Sequence, residues 1–258
     1  MRVRVLLNLV LLVTVAALGA WIWHSSQGGG TIAAQPIEQI RRVAIEPAGG
    51  ERLVLSREGE NWRLEEPLPV LASDFHVERV LDFLALEPDT RYNIDELDLD
   101  AVGLREPWLR LRFDGEVLEF GRREPLRQRR YLRRGEEVML VLEGASTMLA
   151  APWWNFIDRR LLPPNAGLQS LHWRDGRSSD NPQQMQLWRE AVASIVKPES
   201  IAATADFHLR LASGERLPFA ILPGKPARLL RTDLGLAYEL DAELLNALTQ
   251  AEAADTAL

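Results

Sequence analysis

The sequence predicts an α+β fold: two tandem β-meander units with flanking helices, preceded by one N-terminal transmembrane helix. Three observations carry this. Residues Val5–Trp23 form one apolar run broken only by Asn8, Thr14 and Gly19. The stretch Trp108–Gly144 alternates apolar and polar residues between turn signals, as a meander does. The later stretch Phe207–Ala242 repeats its order: Leu109 and Leu111 answer to Leu209 and Leu211, Gly115 to Gly214, Leu118 to Leu217, and Phe120 to Phe219. Arg130-Tyr131-Leu132-Arg133 then answers to Arg228-Leu229-Leu230-Arg231, with two one-residue gaps near turns.

Nineteen helical residues from Val5 to Trp23, at a rise of about 1.5 Å each, span roughly 28 Å, close to the thickness of a bilayer core. Trp21 and Trp23 stand at the far end, where indole rings favour the headgroup region. Arg2 and Arg4 precede the run, and no Lys or Arg follows until Arg41, so the positive-inside bias places the body outside the cytoplasm. Ala17-Leu18-Gly19 has the small-x-small form of a signal cleavage site. The run continues past it to Trp23, longer than the usual signal core, which favours a retained anchor ending at Val5 and Trp23. The expected organisation is a cytoplasmic N-terminus (1–4), an anchor (5–23), a stalk (24–39), a first β-rich unit (40–163), and a second, diverged unit with a C-terminal helix and tail (164–258). The localisation that follows is the inner (cytoplasmic) membrane, single-pass, with a periplasmic body.

The net charge is −7, and without the two leading arginines the remaining chain stands at −9. So acidic a body repels the phosphate backbone and argues against nucleic-acid binding. With no cysteine in the chain, disulfides, thiolate catalysis, iron–sulfur clusters and Cys-ligated zinc are excluded.

The body opens with a strand at Arg42–Glu46, where Val43 and Ile45 alternate with polar neighbours. Arg52–Arg57 and Asn61–Glu65 read as a hairpin around Glu58-Gly59-Glu60, ended by Pro67 and Pro69, which cannot donate to a ladder. Ser73 or Asp74 caps a helix whose stripe is Val77, Val80, Leu81 and Leu84, and Pro88 stops it. In the meander, Asp114-Gly115 predicts a two-residue hairpin loop. That loop sets Leu111 against Leu118, Leu109 against Phe120, and Arg110 against Glu119 on the wet face. Ser146–Leu162 reads as helical, and Pro163-Pro164-Asn165 as a boundary. The second half opens with a strand at Leu168–Trp173. A helix from Asn181-Pro182 follows, lined by Met185, Trp188, Ala191, Val192 and Ile195 and running to Lys197-Pro198. The second meander turns through a three-residue loop, Ala212-Ser213-Gly214. Asp241 then caps a last helix with Leu244, Leu245 and Leu248 inward.

Several stretches, taken in order, resemble the bacterial envelope family called domain of unknown function 4340. They are Trp62-Arg63-Leu64-Glu65-Glu66-Pro67, Asp74 opening a helix, Gly103-Leu104-Arg105-Glu106-Pro107, Phe120-Gly121, Arg130-Tyr131-Leu132-Arg133, Val138–Val141, and Phe156-Ile157-Asp158-Arg159-Arg160-Leu161-Leu162. The resemblance covers about Ile40 to Pro163. It implies a membrane-anchored, extracytoplasmic, β-rich module, similar in some cases to products associated with ABC transporters. The family has no agreed catalytic residue, so none is carried over.

No residue pattern nominates chemistry. His24, His76, His172 and His208 stand singly, with no helical i, i+4 pair for a metal. Asp95, Glu96, Asp98 and Asp100 lack the central glycine and terminal glutamate of an EF-hand loop. No serine lies in a Gly-x-Ser-x-Gly elbow, and Gly28-Gly29-Gly30 has no Lys-Ser/Thr after it. No catalytic residue, metal ligand or cofactor is therefore expected. The local anomaly is arginine: residues 122, 123, 127, 129, 130, 133 and 134 put seven in thirteen positions. On an extended strand Arg129 and Arg133 share one face with Tyr131, and Arg130 and Arg134 the other with Leu132. The bland reading is a charged strand that deters aggregation and pairs with local glutamates. The sharper one is an anion or partner contact through Arg129, Arg130 and Arg133. The expected role is a non-enzymatic scaffold or accessory subunit of an envelope complex, partnered by the cytoplasmic membrane and an integral-membrane transporter or other envelope protein. The alternatives are a binding module for an anionic lipid or glycan and, more remotely, an envelope hydrolase.

Overall fold

The computed structural model describes residues 30–125 and 128–250. The anchor expected at Val5–Trp23 and the tail beyond Gln250 lie outside them. The described chain is mostly antiparallel β with three helices longer than one turn. In chain order the early strands are β1 (Arg42–Pro47), β2 (Leu53–Glu58), β3 (Asn61–Glu66) and β4 (Val70–Leu71). Helix α1 (Asp74–Leu84) leads to β5 (Thr90–Asn93). The first meander is β6 (Leu109–Phe113), β7 (Glu116–Glu124), β8 (Arg129–Arg134) and β9 (Glu137–Leu142). Then come β10 (Leu168–Trp173), β11 (Ser178–Ser179), α2 (Pro182–Glu190) and β12 (Ile195–Pro198). The second meander is β13 (Phe207–Leu211), β14 (Arg216–Leu222), β15 (Ala227–Arg231) and β16 (Leu236–Leu240), followed by α3 (Ala242–Thr249).

These elements fall into two compact units. One holds the described residues up to Gly50 and Glu78–Ala150; the other holds Glu51–Val77 and the described residues from Ala151 onward. The Pro163-Pro164-Asn165 boundary read from the sequence lies inside the second unit. There the Asp158 amide donates to the Leu71 carbonyl at 3.0 Å, and Ala72 bridges Ile157. That bonding ties the β3–β4 segment to residues far along the chain.

The first unit has the strand order β1-β6-β7-β8-β9-β5. The Asp114-Gly115 turn sets the expected register: Leu111 faces Leu118, Leu109 faces Phe120, and Arg110 faces Glu119. Gly115 sits at φ +97° and Asp114 at +41°, the positive values a short hairpin loop needs. Asp114 does more than turn: its two carboxylate oxygens accept from the amides of Arg41 and Arg42 at 2.8 and 2.9 Å, fixing the start of β1. Gly121 is required by a close approach. A Cβ there would lie 2.4 Å from the Val102 carbonyl, which accepts from the Arg122 amide at 2.7 Å. The core is built on the buried face of this sheet, with Phe83 of α1 stacked on Phe120 at 5.7 Å.

The second unit contains the β2-β3-β4 meander and a sheet of order β11-β10-β13-β14-β15-β16-β12. Leu209 faces Leu217 across a three-residue loop, Ala212-Ser213-Gly214, as expected. Trp188 of α2 packs on Phe207 and Phe219 at 5.8 and 5.4 Å. Its indole N–H donates to the Leu248 carbonyl of α3 at 3.0 Å, and Gln184 Nε2 donates to the same oxygen at 3.0 Å. Each sheet thus runs from an early strand through the four meander strands to an edge strand that follows a helix. The registers differ at one place: Phe120 faces Leu132, whereas Phe219 faces Arg231 rather than Leu230.

Several sequence expectations need correction. Ser146–Leu162 is not a continuous helix. It comprises one helical turn at Glu143–Ser146 and 3-10 turns at Thr147–Ala150 and Trp153–Phe156, and Ile157 and Arg160 then make bridges to other segments. Pro152 interrupts the first part, and the bridges draw the second into extended backbone. Helix α2 starts where predicted, with Asn181 accepting from the amides of Gln183 and Gln184, but ends at Glu190. Ile195–Pro198 is a strand paired with β16, as the β-branched pair Ile195-Val196 prefers. The stripe of α1 uses Phe83 where Leu81 was expected; Leu81 is half-buried. Ile32 and Ala33, in the segment read as stalk, are buried, their amides bonded to the carbonyls of Leu86 and Leu84.

Candidate functional site

The arginine-rich strand is β8, and its alternation is as the pattern requires. Arg130 and Leu132 point into the first unit, while Tyr131 is half-buried on the other face. The three nominated arginines share the strand but meet different carboxylates. Arg129 pairs with Asp89 at 2.7 Å, Arg133 with Glu119 at 3.5 Å, and Arg130 with Glu143. Three acids each serve two guanidinium groups. Glu119 takes Arg110 and Arg133, Glu137 takes Arg91 and Arg134, and Glu143 takes Arg123 and Arg130.

Arg130 is the buried member. Its Nε and Nη2 donate to the two oxygens of Glu143 at 2.7 Å each, its Nη1 donates to the Gly121 carbonyl at 2.6 Å, and its guanidinium lies 4.6 Å from the Trp108 ring centre. Burial pushes the Glu143 carboxyl up, but the hydrogen bonds and charge of Arg130, then of Arg123, outweigh it and hold the group below its usual range. A cleft of about 390 Å³ opens beside this pair, with Trp108, Arg105 and Arg122 in its wall.

The larger cleft, about 440 Å³, belongs to the second unit. Its lining combines the apolar Val70, Leu71, Ile157 and Leu161 with Arg63, Arg160 and Arg231 and with the carboxylates Asp158, Asp233 and Glu215. Arg160 is held by Asp158 through Nε at 2.7 Å and through Nη2. Arg231, itself 8% exposed, is held by both oxygens of Asp233 at 2.7 and 3.0 Å and lies over the Phe219 ring. Among the described residues Arg63 has one ion pair, with Glu58 at 3.6 Å. Tyr238 lines the same cleft; burial pushes its phenol up to about 12, so it is a neutral hydroxyl donor across the physiological range.

In the sequence Arg63 and Arg160 stand out only within the stretches that resemble a known family, and Arg231 only within the repeat. They lie 168 positions apart at the extremes, and no local spacing joins them. The same holds for His172 and His208, which the β10–β13 pairing stacks at 5.1 Å. Among the described residues no three His, Asp or Glu side chains converge as metal ligands. No family model, no curated protein and no solved structure matches the chain.

Proposed function

We propose that the protein is a single-pass, membrane-anchored extracytoplasmic module of the domain of unknown function 4340 type. It acts as a non-enzymatic scaffold or accessory subunit of an envelope complex, with an integral-membrane transporter subunit as its partner. The apolar run at Val5–Trp23 and the arginines before it support the anchor and its orientation. The common strand order of the two sheets supports a body built from two copies of one unit.

The observation that carries the scaffold role is the outer edge of the second sheet. Strand β12 is the last strand of that sheet, next to β16, and residues 191–193 just before it are bonded to 159–161. Val192, Ile195 and Ile201 around it are 51%, 39% and 49% exposed. A cluster of exposed β-branched side chains beside a sheet edge is suited to contact another chain. Because the chain has no cysteine, single-cysteine crosslinking is direct. A crosslinker placed at Ile195→Cys is expected to capture an integral-membrane protein, while the same reagent at Gly59→Cys captures none. Capture at neither position, or a C-terminal reporter active only in the cytoplasm, refutes the role.

A further inference from the structure

We propose that the second-unit cleft binds a single-chain amphiphile with an anionic head, a phosphate or carboxylate, seated by Arg63, Arg160, Arg231 and Tyr238. The inference stands apart from the scaffold reading. A guanidinium has five N–H groups and no acceptor. Asp158 engages Nε and Nη2 of Arg160, and Asp233 engages the same two atoms of Arg231, leaving each Nη1 without a bond among the described residues. Arg63 makes no side-chain hydrogen bond there, since its 3.6 Å approach to Glu58 is too long for one. The Tyr238 hydroxyl makes none either. Arg231 and Tyr238 are 8% and 5% exposed, and both are in the lining of the cleft.

The two aspartates therefore fix the orientation of Arg160 and Arg231 while leaving donors to spare. Arg63 supplies a third cation held by nothing tighter, and Tyr238 a neutral donor that stays protonated. Planar guanidinium edges match the oxygens of phosphate and carboxylate. The lining also holds Asp158 and Asp233, but these are engaged by Arg160 and Arg231, so the unbonded groups beside them are donors. Glu215, also in the lining, has no ion pair among the described residues.

The wall decides the rest of the ligand. Ile157 and Leu161, each 2% exposed, belong to the packed core beneath, while Leu71 and Leu234 are half-buried and offer apolar surface to the cleft. A space of about 440 Å³ lies within the usual range of small-molecule sites, roughly 300–1,000 Å³. An alkyl chain laid on this wall with its head at the arginines satisfies both surfaces.

The test titrates the full chain in lipid nanodiscs by calorimetry, with empty nanodiscs as the blank. The probes are hexyl phosphate, inorganic phosphate and hexanol. Hexyl phosphate is expected to bind at least about tenfold more tightly than either of the others. Arg63→Gln and Tyr238→Phe are each expected to weaken it about tenfold. The Arg63 side chain is 40% exposed and pairs only loosely, so its variant retains the fold. Arg122→Gln, in the first unit, is the control and leaves binding unchanged. Hexyl phosphate binding no tighter than inorganic phosphate overturns the amphiphile, because the wall then contributes nothing. Absence of binding, or unchanged binding in either cleft variant, overturns the site.

Discussion

Glu143 grips Arg130 with both carboxylate oxygens at 2.7 Å, and each side chain is only 10% exposed. The pair joins β8 to the helical turn after β9, and the Trp108 ring lies against the guanidinium. Removing one partner leaves the other charge buried. Glu143→Ala is expected to lower stability by about 3–5 kcal/mol. Arg123, which contacts the same carboxylate but is 66% exposed, is expected to cost less than about 1 kcal/mol as Arg123→Ala. Chemical denaturation of the two variants measures the contrast; equal losses would show that burial does not set the energy.

The same carboxylate gives a pH dependence. Its folded pKa is depressed, so the native state binds fewer protons than the unfolded state at acid pH. Its stabilising contribution is complete above the ordinary carboxylate value near 4.5 and is lost as pH falls through the folded value. Glu143→Gln should be less stable at neutral pH and lose less on acidification. Urea midpoints across that range test it.

His76 and His208 act in the same direction at higher pH. Burial lowers both, helped at His76 by Arg159 and at His208 by His172, Arg216 and Arg210. The neutral form is the one favoured in the folded state, so their contribution is present above the ordinary value near 6.5 and is lost as pH falls from there. His208→Gln should flatten the stability profile below that value and leave it unchanged above. A profile with the wild-type slope would mean that His208 does not carry this dependence.

Asp114 serves as turn residue and as acceptor for two amides 72 and 73 positions away. Asp114→Ala removes both bonds and places alanine at positive φ, so a loss of about 2 kcal/mol is expected. Asp114→Asn keeps an acceptor and tolerates that backbone, and should recover about half. Thermal midpoints rank the three proteins.

The cap and anchor of α2 separate two kinds of cost. Asn181→Ala removes a side-chain cap on two amides and should cost about 1 kcal/mol. Trp188→Ala empties a fully buried site between Phe207 and Phe219 and should cost about 3–5 kcal/mol. Denaturant unfolding measures both, and a cap effect as large as the tryptophan effect would contradict this division.

The elements legible in the sequence are those whose signals are local. Asp114-Gly115 set the register of its hairpin, Ala212–Gly214 that of its own, and Asn181-Pro182 and Asp241 opened helices where expected. The edge strand β12 was hidden in a helical period because Val192 and Ile195 match i, i+3 spacing, while β5 is too short and polar to show a pattern. Both form because a partner strand is waiting, and a partner cannot be read from the segment it receives. The arginine alternation on β8 was legible, but the carboxylate assigned to each guanidinium was not.

The chain by itself determined its periodicities, its turns, its caps and its charge, since each rests on the chemistry of residues a few positions apart. Only the tertiary structure decided that Arg63, Arg160, Arg231 and Tyr238 share one cleft, and that three glutamates each bind two arginines. Hydrogen bonds and ion pairs act over about 3 Å. Folding, not spacing along the chain, brings such distant residues within that reach.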